Sequence, residues 1–146
     1  MAFQFRLEPL ITIRDNTLKE KQGELAKAYE ARRIVEEKQR QLQQELAENV
    51  ETGRQRLQTG IIDIDFLLGL RRHEAYLNAQ IEFVHGHLRQ IDEEIERRRN
   101  AVLEANKELK IIEKLKEKRY EKYRTEENRK ETIRLDEIAV KKRNVE

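Results

Sequence analysis

The residues that could carry chemistry are few, and their spacing builds no catalytic or metal site. Three histidines occur, at His73, His85 and His87. The last two are two residues apart, so on a helix they point about 200° apart and cannot share a metal ion. The chain has no cysteine and no serine, which excludes disulfides, thiolate chemistry and the usual hydroxyl nucleophile. We therefore expect no metal, no cofactor and no catalysis.

Phosphate binding and nucleic-acid binding are also poorly supported. The five glycines are scattered along the chain instead of forming a phosphate-binding loop. Charged residues make up 41% of the sequence, yet the net charge is only +2. Lysines and arginines near the C-terminus alternate with glutamates, whereas nucleic-acid binders carry a one-sided basic excess. We expect neither a nucleic acid nor a small-molecule substrate as a partner.

The composition favours long helices over a globular core. Only 37% of the 146 residues are hydrophobic and 5% aromatic, and an ordinary core needs more apolar mass. The N-terminus lacks the apolar stretch of a secretory signal, and no run approaches the roughly 20 apolar residues of a membrane span. We expect one all-α coiled-coil domain over residues 1–146, located in the cytoplasm.

Apolar residues recur in two heptad columns between Leu67 and Ile112, interrupted only by Glu74 and Arg98. Spacings that alternate between three and four residues are typical of a helix packed along another helix. The first column contains Leu70, Leu77, Val84, Ile91, Arg98, Ala105 and Ile112, and the second Leu67, Glu74, Ile81, Leu88, Ile95, Val102 and Leu109.

A second heptad pattern precedes it and is more polar. Helix-favouring residues extend from Pro9, which suits a first helical turn, to about Gln58. Past Leu46 the apolar residues are Val50 and Leu57, which predicts a register shift. The heptad positions before the shift are Leu7, Ile11, Arg14, Leu18, Lys21, Leu25, Ala28, Arg32, Val35, Gln39, Leu42 and Leu46.

The two patterns predict an antiparallel hairpin, with a helix at about 9–58, a turn at about 59–63 and a helix at about 64–143. Gly60 can take the left-handed conformation that ends a helix, and Asp63 can cap the next one. Folding the chain at residues 60–61 places Pro9 opposite residue 112, where the second seam ends. About thirty residues should then project without a partner, and at 1.5 Å per residue the second helix is roughly 120 Å long.

A stripe of aromatic and polar residues runs one position before the main seam. It contains His73, Tyr76, Gln80, Phe83 and His87. The rings could broaden the seam by flanking the contact between the helices. Alternatively, they could form an exposed strip that binds another protein, because aromatic residues are enriched at binding hot spots.

Both ends of the chain carry further apolar residues with two interpretations each. Phe3 and Phe5 could form a short extended lead-in or could wrap the base of the hairpin. Near the C-terminus, apolar residues return after a charged stretch and could form a docking face or an incidental part of a frayed helix. These residues are Ile133, Leu135, Ile138 and Val140.

The chain resembles the FliJ family of the bacterial flagellar type III export apparatus. The resemblance spans the whole chain and the length is typical of the family. It is carried by FQFRLEPL at residues 3–10, EKLKEKRY at 113–120 and LDEIA at 135–139.

The resemblance implies a coiled coil similar to the rotor subunit of rotary ATPases, without enzymatic activity of its own. The open end would engage the export ATPase FliI, and a surface partway along the hairpin would engage the export gate FlhA. FliH and export chaperones would be further partners, with peripheral association on the cytoplasmic side of the membrane. The gate surface would comprise Tyr76, Gln80, Phe83 and His87, and the ATPase end Phe3, Phe5, Leu115, Tyr120, Tyr123, Leu135 and Ile138.

Two other functions remain open at this point. An RNA-binding helical hairpin would bind with an affinity that falls steeply with salt. A homo-oligomeric structural coiled coil would sediment with a concentration-dependent mass.

Overall fold

Two helices make up nearly all of the computed structural model, which describes residues 2–145. Helix α1 spans Glu8–Gln58 and helix α2 spans Ile64–Val145, with 51 and 82 residues. The described residues contain no strand. The predicted all-α hairpin, with a second helix longer than the first, is confirmed.

The helix ends follow the predicted local chemistry. Pro9 lies in the first turn of α1, where a missing N–H costs nothing. Gly60 lies in the connection after α1 with φ 78°, a backbone conformation that is strained for a residue with a Cβ. Asp63 caps α2, because its Oδ1 accepts a hydrogen bond from the backbone N–H of Phe66 at 3.2 Å.

The chain divides into two compact units. One contains the residues up to Lys21 together with those from Val102 onward, and the other is Gln22–Ala101. Each unit pairs a stretch of α1 with a stretch of α2. The single domain expected over residues 1–146 stays a prediction.

The 22–101 unit has its core at the predicted seam. Leu42, Leu77 and Val84 form a buried cluster, and Leu77 has no exposed surface. Every predicted seam position of α2 in this unit is at least partly buried, including Glu74 and Arg98. Partly buried residues complete the cluster, namely Val35, Leu46, Ile81 and Leu88.

The predicted register shift in α1 is wrong. Val50 and Leu57 are 53% and 56% exposed, whereas the heptad register continues through Asn49 and Gly53, which are buried and partly buried. Asn49 is tolerated in the seam because its Nδ2 donates to the backbone carbonyl of Leu70 at 2.9 Å. The apolar pattern misled the prediction because a hydrogen-bonded amide and a glycine occupy seam positions here.

The other unit packs the start of α1 against the middle of α2. Phe5, Ala105, Leu109 and Ile112 are its buried apolar residues. Phe5 precedes α1, so the N-terminal residues take part in this core. Of the two interpretations of the lead-in, packing at the base is confirmed.

Polar groups at the edges of the seam fix how the helices align. Arg32 pairs with Asp92 at 2.7 Å in the 22–101 unit. In the other unit, Arg14 pairs with Glu108 at 2.7 Å, and Glu8 pairs with Lys116 at 2.8 Å. Folding at residues 60–61 places residue 8 opposite residue 113, so the observed partner lies within one helical turn of the predicted one. Such pairs set orientation and register in coiled coils.

Candidate partner-binding surfaces

The described residues present several exposed surfaces that could bind a partner. Across residues 2–145 no group of three or more histidine or acidic side chains could hold a metal ion. Within the same residues, neither helix has a stretch apolar enough to cross a membrane.

The mid-hairpin stripe, His73, Tyr76, Gln80, Phe83 and His87, lies on the outer surface of α2. Tyr76 is 58% exposed and Phe83 is 72% exposed. The rings of His73 and Tyr76 stack with centroids 6.2 Å apart, which holds the tyrosine ring against its own helix. His87 is exposed and Gln80 is partly buried.

Of the two interpretations of the stripe, the one in which these rings broaden the seam is wrong. The seam is filled by Leu77 and Val84, one position further along in each case. A one-residue step turns a side chain by about 100° on a helix, which directs Tyr76 and Phe83 away from α1. Two large exposed rings on one helix face are what a protein-binding strip requires.

The base cluster consists of Phe3, Phe5, Leu115, Tyr120 and Tyr123. The Phe3 ring lies 5.4 Å from the Tyr120 ring and 5.5 Å from the Tyr123 ring, measured between centroids. The Arg119 guanidinium lies 5.8 Å from the centroid of Phe5, within the range of a cation–π interaction. Phe5 is buried, while Tyr120 is 48% exposed.

The base cluster corrects the predicted start of the projection. Residues 116–123 were expected to have no partner in their own chain, but Phe3 and Glu8 contact them. The prediction failed because it counted only the helix from Pro9 onward as a partner. The fully exposed stretch comprises residues 124–145.

The tail, residues 124–145, carries its apolar side chains on two sides of the helix. At about 100° per residue, Ile133 and Val140 share one side, and Leu135 and Ile138 share the roughly opposite one. Leu135 is 55% exposed and Ile138 is 44% exposed. The four residues therefore lie on two sides of the helix and do not form the one continuous face that the docking interpretation required.

Carboxylates in both helices are held ionised by neighbouring arginines. Hydrogen bonds from Arg97 and Arg98 keep the pKa of Glu94 below its usual value. Arg98 also donates from Nη1 to the backbone carbonyl of Glu24 at 2.6 Å. Glu94 thus orients an arginine that links the two helices. In α1, a hydrogen bond from Arg33 lowers the pKa of Glu30 in the same way.

The turn end of the 22–101 unit has an apolar surface that the sequence pattern did not indicate. Ile61 is 78% exposed, and Ile62 and Ile64 are each 67% exposed. Near this end, an open groove of about 430 Å³ is lined by Val50, Gly53 and Leu57 of α1 and by Leu67 and Leu70 of α2. Continuing the heptad register through Asn49 and Gly53 would have indicated this groove, because both positions lack an apolar side chain to fill the seam.

Comparison with known proteins gives one match. The family model described as the flagellar FliJ protein matches residues 3–144 of the 146-residue chain. No curated protein and no solved structure matches it significantly. The match covers the base cluster, both helices, the mid-hairpin stripe and nearly all of the tail.

Proposed function

This chain belongs to the flagellar FliJ family and is a component of the flagellar export apparatus, and we propose that it serves there as a non-enzymatic coiled-coil stalk and chaperone escort. In this role it binds the export ATPase FliI and the export gate FlhA and promotes flagellar assembly. The observation that carries the proposal is the tail, whose apolar side chains in residues 124–145 are exposed on a helix with no described contact to α1.

The base and the tail form the proposed ATPase end. A lone helix of this length is marginal in water without packing, so a partner that covers Leu135 and Ile138 would stabilise it. Tyr120, more than four helical turns before Leu135, adds a ring that is 48% exposed. The other residues proposed for this end, Phe3, Phe5, Leu115 and Tyr123, are buried or partly buried and position the helix.

The mid-hairpin stripe is the proposed gate-binding surface. Tyr76 and Phe83 supply apolar area, and His87 and Gln80 supply polar groups around it. This combination of aromatic anchors and a polar surround is typical of protein–protein hot spots. The rigid seam beneath the stripe means that little conformational entropy is lost when it binds.

Further partners and location follow from the same proposal. FliH and export chaperones bind the stalk at surfaces that no described residue identifies. The chain acts on the cytoplasmic side of the cell membrane and reaches the membrane only through its partners.

A two-partner binding assay tests the proposal. The full chain is measured against FliI and against FlhA by a surface-immobilised binding method. Tyr76→Ala with Phe83→Ala should weaken FlhA binding by about tenfold or more and leave FliI binding unchanged. Leu135→Ala with Ile138→Ala should do the reverse.

The matched control is Ile111→Ala, which removes an exposed apolar side chain (67% exposed) outside both surfaces. It should leave both affinities unchanged. Failure of the wild-type chain to bind either protein, or equal losses in all three variants, would contradict the proposal.

A further inference from the structure

The groove at the turn end of the 22–101 unit, called here the tip groove, is lined by both apolar and charged side chains. Val50, Leu57, Leu67 and Leu70 provide the apolar lining, and Gly53 lies among them without a side chain, where an added Cβ would come within 3.5 Å of Leu70 Cδ1. Val50 and Leu57 are seven residues apart on α1, so they lie on one side of the helix about 10 Å from each other. The groove is therefore shaped to accept side chains spaced by two turns of a second helix.

Charged side chains rim the tip groove. Arg54 lies between Val50 and Leu57 along α1, and Arg71 and Glu74 lie on the α2 side. The side chains of Arg54 and Arg71 are 68% and 80% exposed. Each contacts one local carboxylate, at 3.1 Å and 3.7 Å respectively. Both guanidinium groups keep donors free for a further anion, because each has five N–H groups.

One described segment of the chain has the complementary pattern. In the tail, Ile133 and Val140 are seven residues apart on one side of α2, with Asp136 and Glu137 between them. Together with Lys141 they border a shallow apolar surface. In the groove, Val50 and Leu57 flank the positive charge of Arg54. In the tail, Ile133 and Val140 flank the negative charges of Asp136 and Glu137. The two apolar residues are seven positions apart in both cases.

We propose that the tail of a second copy of this chain docks in the tip groove through its Ile133 and Val140 side. Asp136 and Glu137 then pair with Arg54 and Arg71, and Lys141 offers a cation to Glu74. The contact is heterologous, since one copy gives its groove and the other its tail. Leu135 and Ile138 lie on the opposite side of the tail helix and stay outside the contact.

Sedimentation velocity of the full chain tests this proposal without any other protein. At low salt, the average mass of the sedimenting species should rise with the concentration of the wild-type chain. At high salt this average mass should fall, because exposed charge pairs are screened. Arg54→Glu with Arg71→Glu turns two attractions into repulsions, and it should weaken association by about tenfold or more. Asp136→Arg with Glu137→Arg should have the same effect from the other side.

Mixing the two reversed chains provides the decisive comparison. The reversed groove of one chain matches the reversed tail of the other, and the unchanged tail of the first matches the unchanged groove of the second, so the mixture should associate more tightly than either chain alone. Glu126→Arg with Glu127→Arg is the matched control for charge on the tail and should associate like the wild type. Circular dichroism checks that each variant keeps its helices.

Three results would overturn the proposal. In the first, the wild-type chain stays monomeric at every concentration. In the second, the association is as strong in both reversed variants as in the wild type. In the third, both variants associate weakly and their mixture associates no better. Because no export protein takes part, these results leave the binding of FliI and FlhA to be judged separately.

Discussion

At the residue scale, polar side chains in the seam are tolerated because they find partners. Arg98 reaches the carbonyl of Glu24, and Asn49 reaches that of Leu70. A buried polar group left unpaired costs about 1–3 kcal/mol, so these bonds remove a penalty and at the same time favour one alignment of the helices. Arg14 is a partial exception, because its Nε is buried without a hydrogen-bond partner.

Two glycine substitutions should change stability in opposite directions. Gly60 has φ 78°, where a Cβ is strained, so Gly60→Ala should lower the free energy of unfolding by about 1 kcal/mol. Gly23 lies inside α1 with nothing within 4 Å of an added Cβ, so Gly23→Ala should raise it by about 1 kcal/mol. Denaturant unfolding measures both. Equal signs for the two changes would show that the turn conformation is not what distinguishes Gly60.

At the element scale, the N-terminal residues determine where α2 becomes free of packing. Phe3 and Glu8 contact α2 between Lys116 and Tyr123, and residues beyond that point are exposed. Without the contacts from Phe3 and Glu8, residues 116–123 would be unpacked like the tail. The base cluster therefore supports about two turns of helix that the α1 seam does not reach.

Removing the Phe3 ring should loosen these two turns. Phe3→Ala deletes the contacts to Tyr120 and Tyr123, worth about 1–2 kcal/mol for a partly buried ring. Amide hydrogen exchange should become faster over residues 116–123 and stay unchanged around Leu77. Gln4→Ala, at an exposed neighbouring position, is the matched control. Unchanged exchange over residues 116–123 in the Phe3 variant would contradict a supporting role for the base cluster.

The sequence predicted regular elements well and irregular contacts poorly. Heptad spacing located α2 and its seam, because burial along a helix repeats with a fixed period. The same reasoning missed Asn49 and Gly53 in the α1 seam, since neither is apolar. It also missed the ion pair between Glu8 and Lys116, because the residues before Pro9 show no heptad periodicity. The exposure of Tyr76 and Phe83 was undecided, since rings beside a seam can point either way.

At the scale of the whole molecule, the chain has a packed hairpin and an exposed tail, and these suit different tasks. The packed part presents the mid-hairpin stripe on a fixed surface. The tail is supported by local ion pairs such as Lys130–Glu127 and Arg134–Glu131, and a partner that covers it would add the stability that packing gives a helix. We therefore propose that the coupling to the ATPase lies in the tail, in the residues beyond Tyr123.

The most direct test is the ATP hydrolysis rate of purified FliI with the full chain and with a chain that ends at Tyr123. The shortened chain keeps every described contact between α1 and α2, so it should remain helical and unfold cooperatively. We predict that the full chain raises the hydrolysis rate and that the shortened chain does not. Equal stimulation by a correctly folded shortened chain would contradict the claim that the tail is the working end.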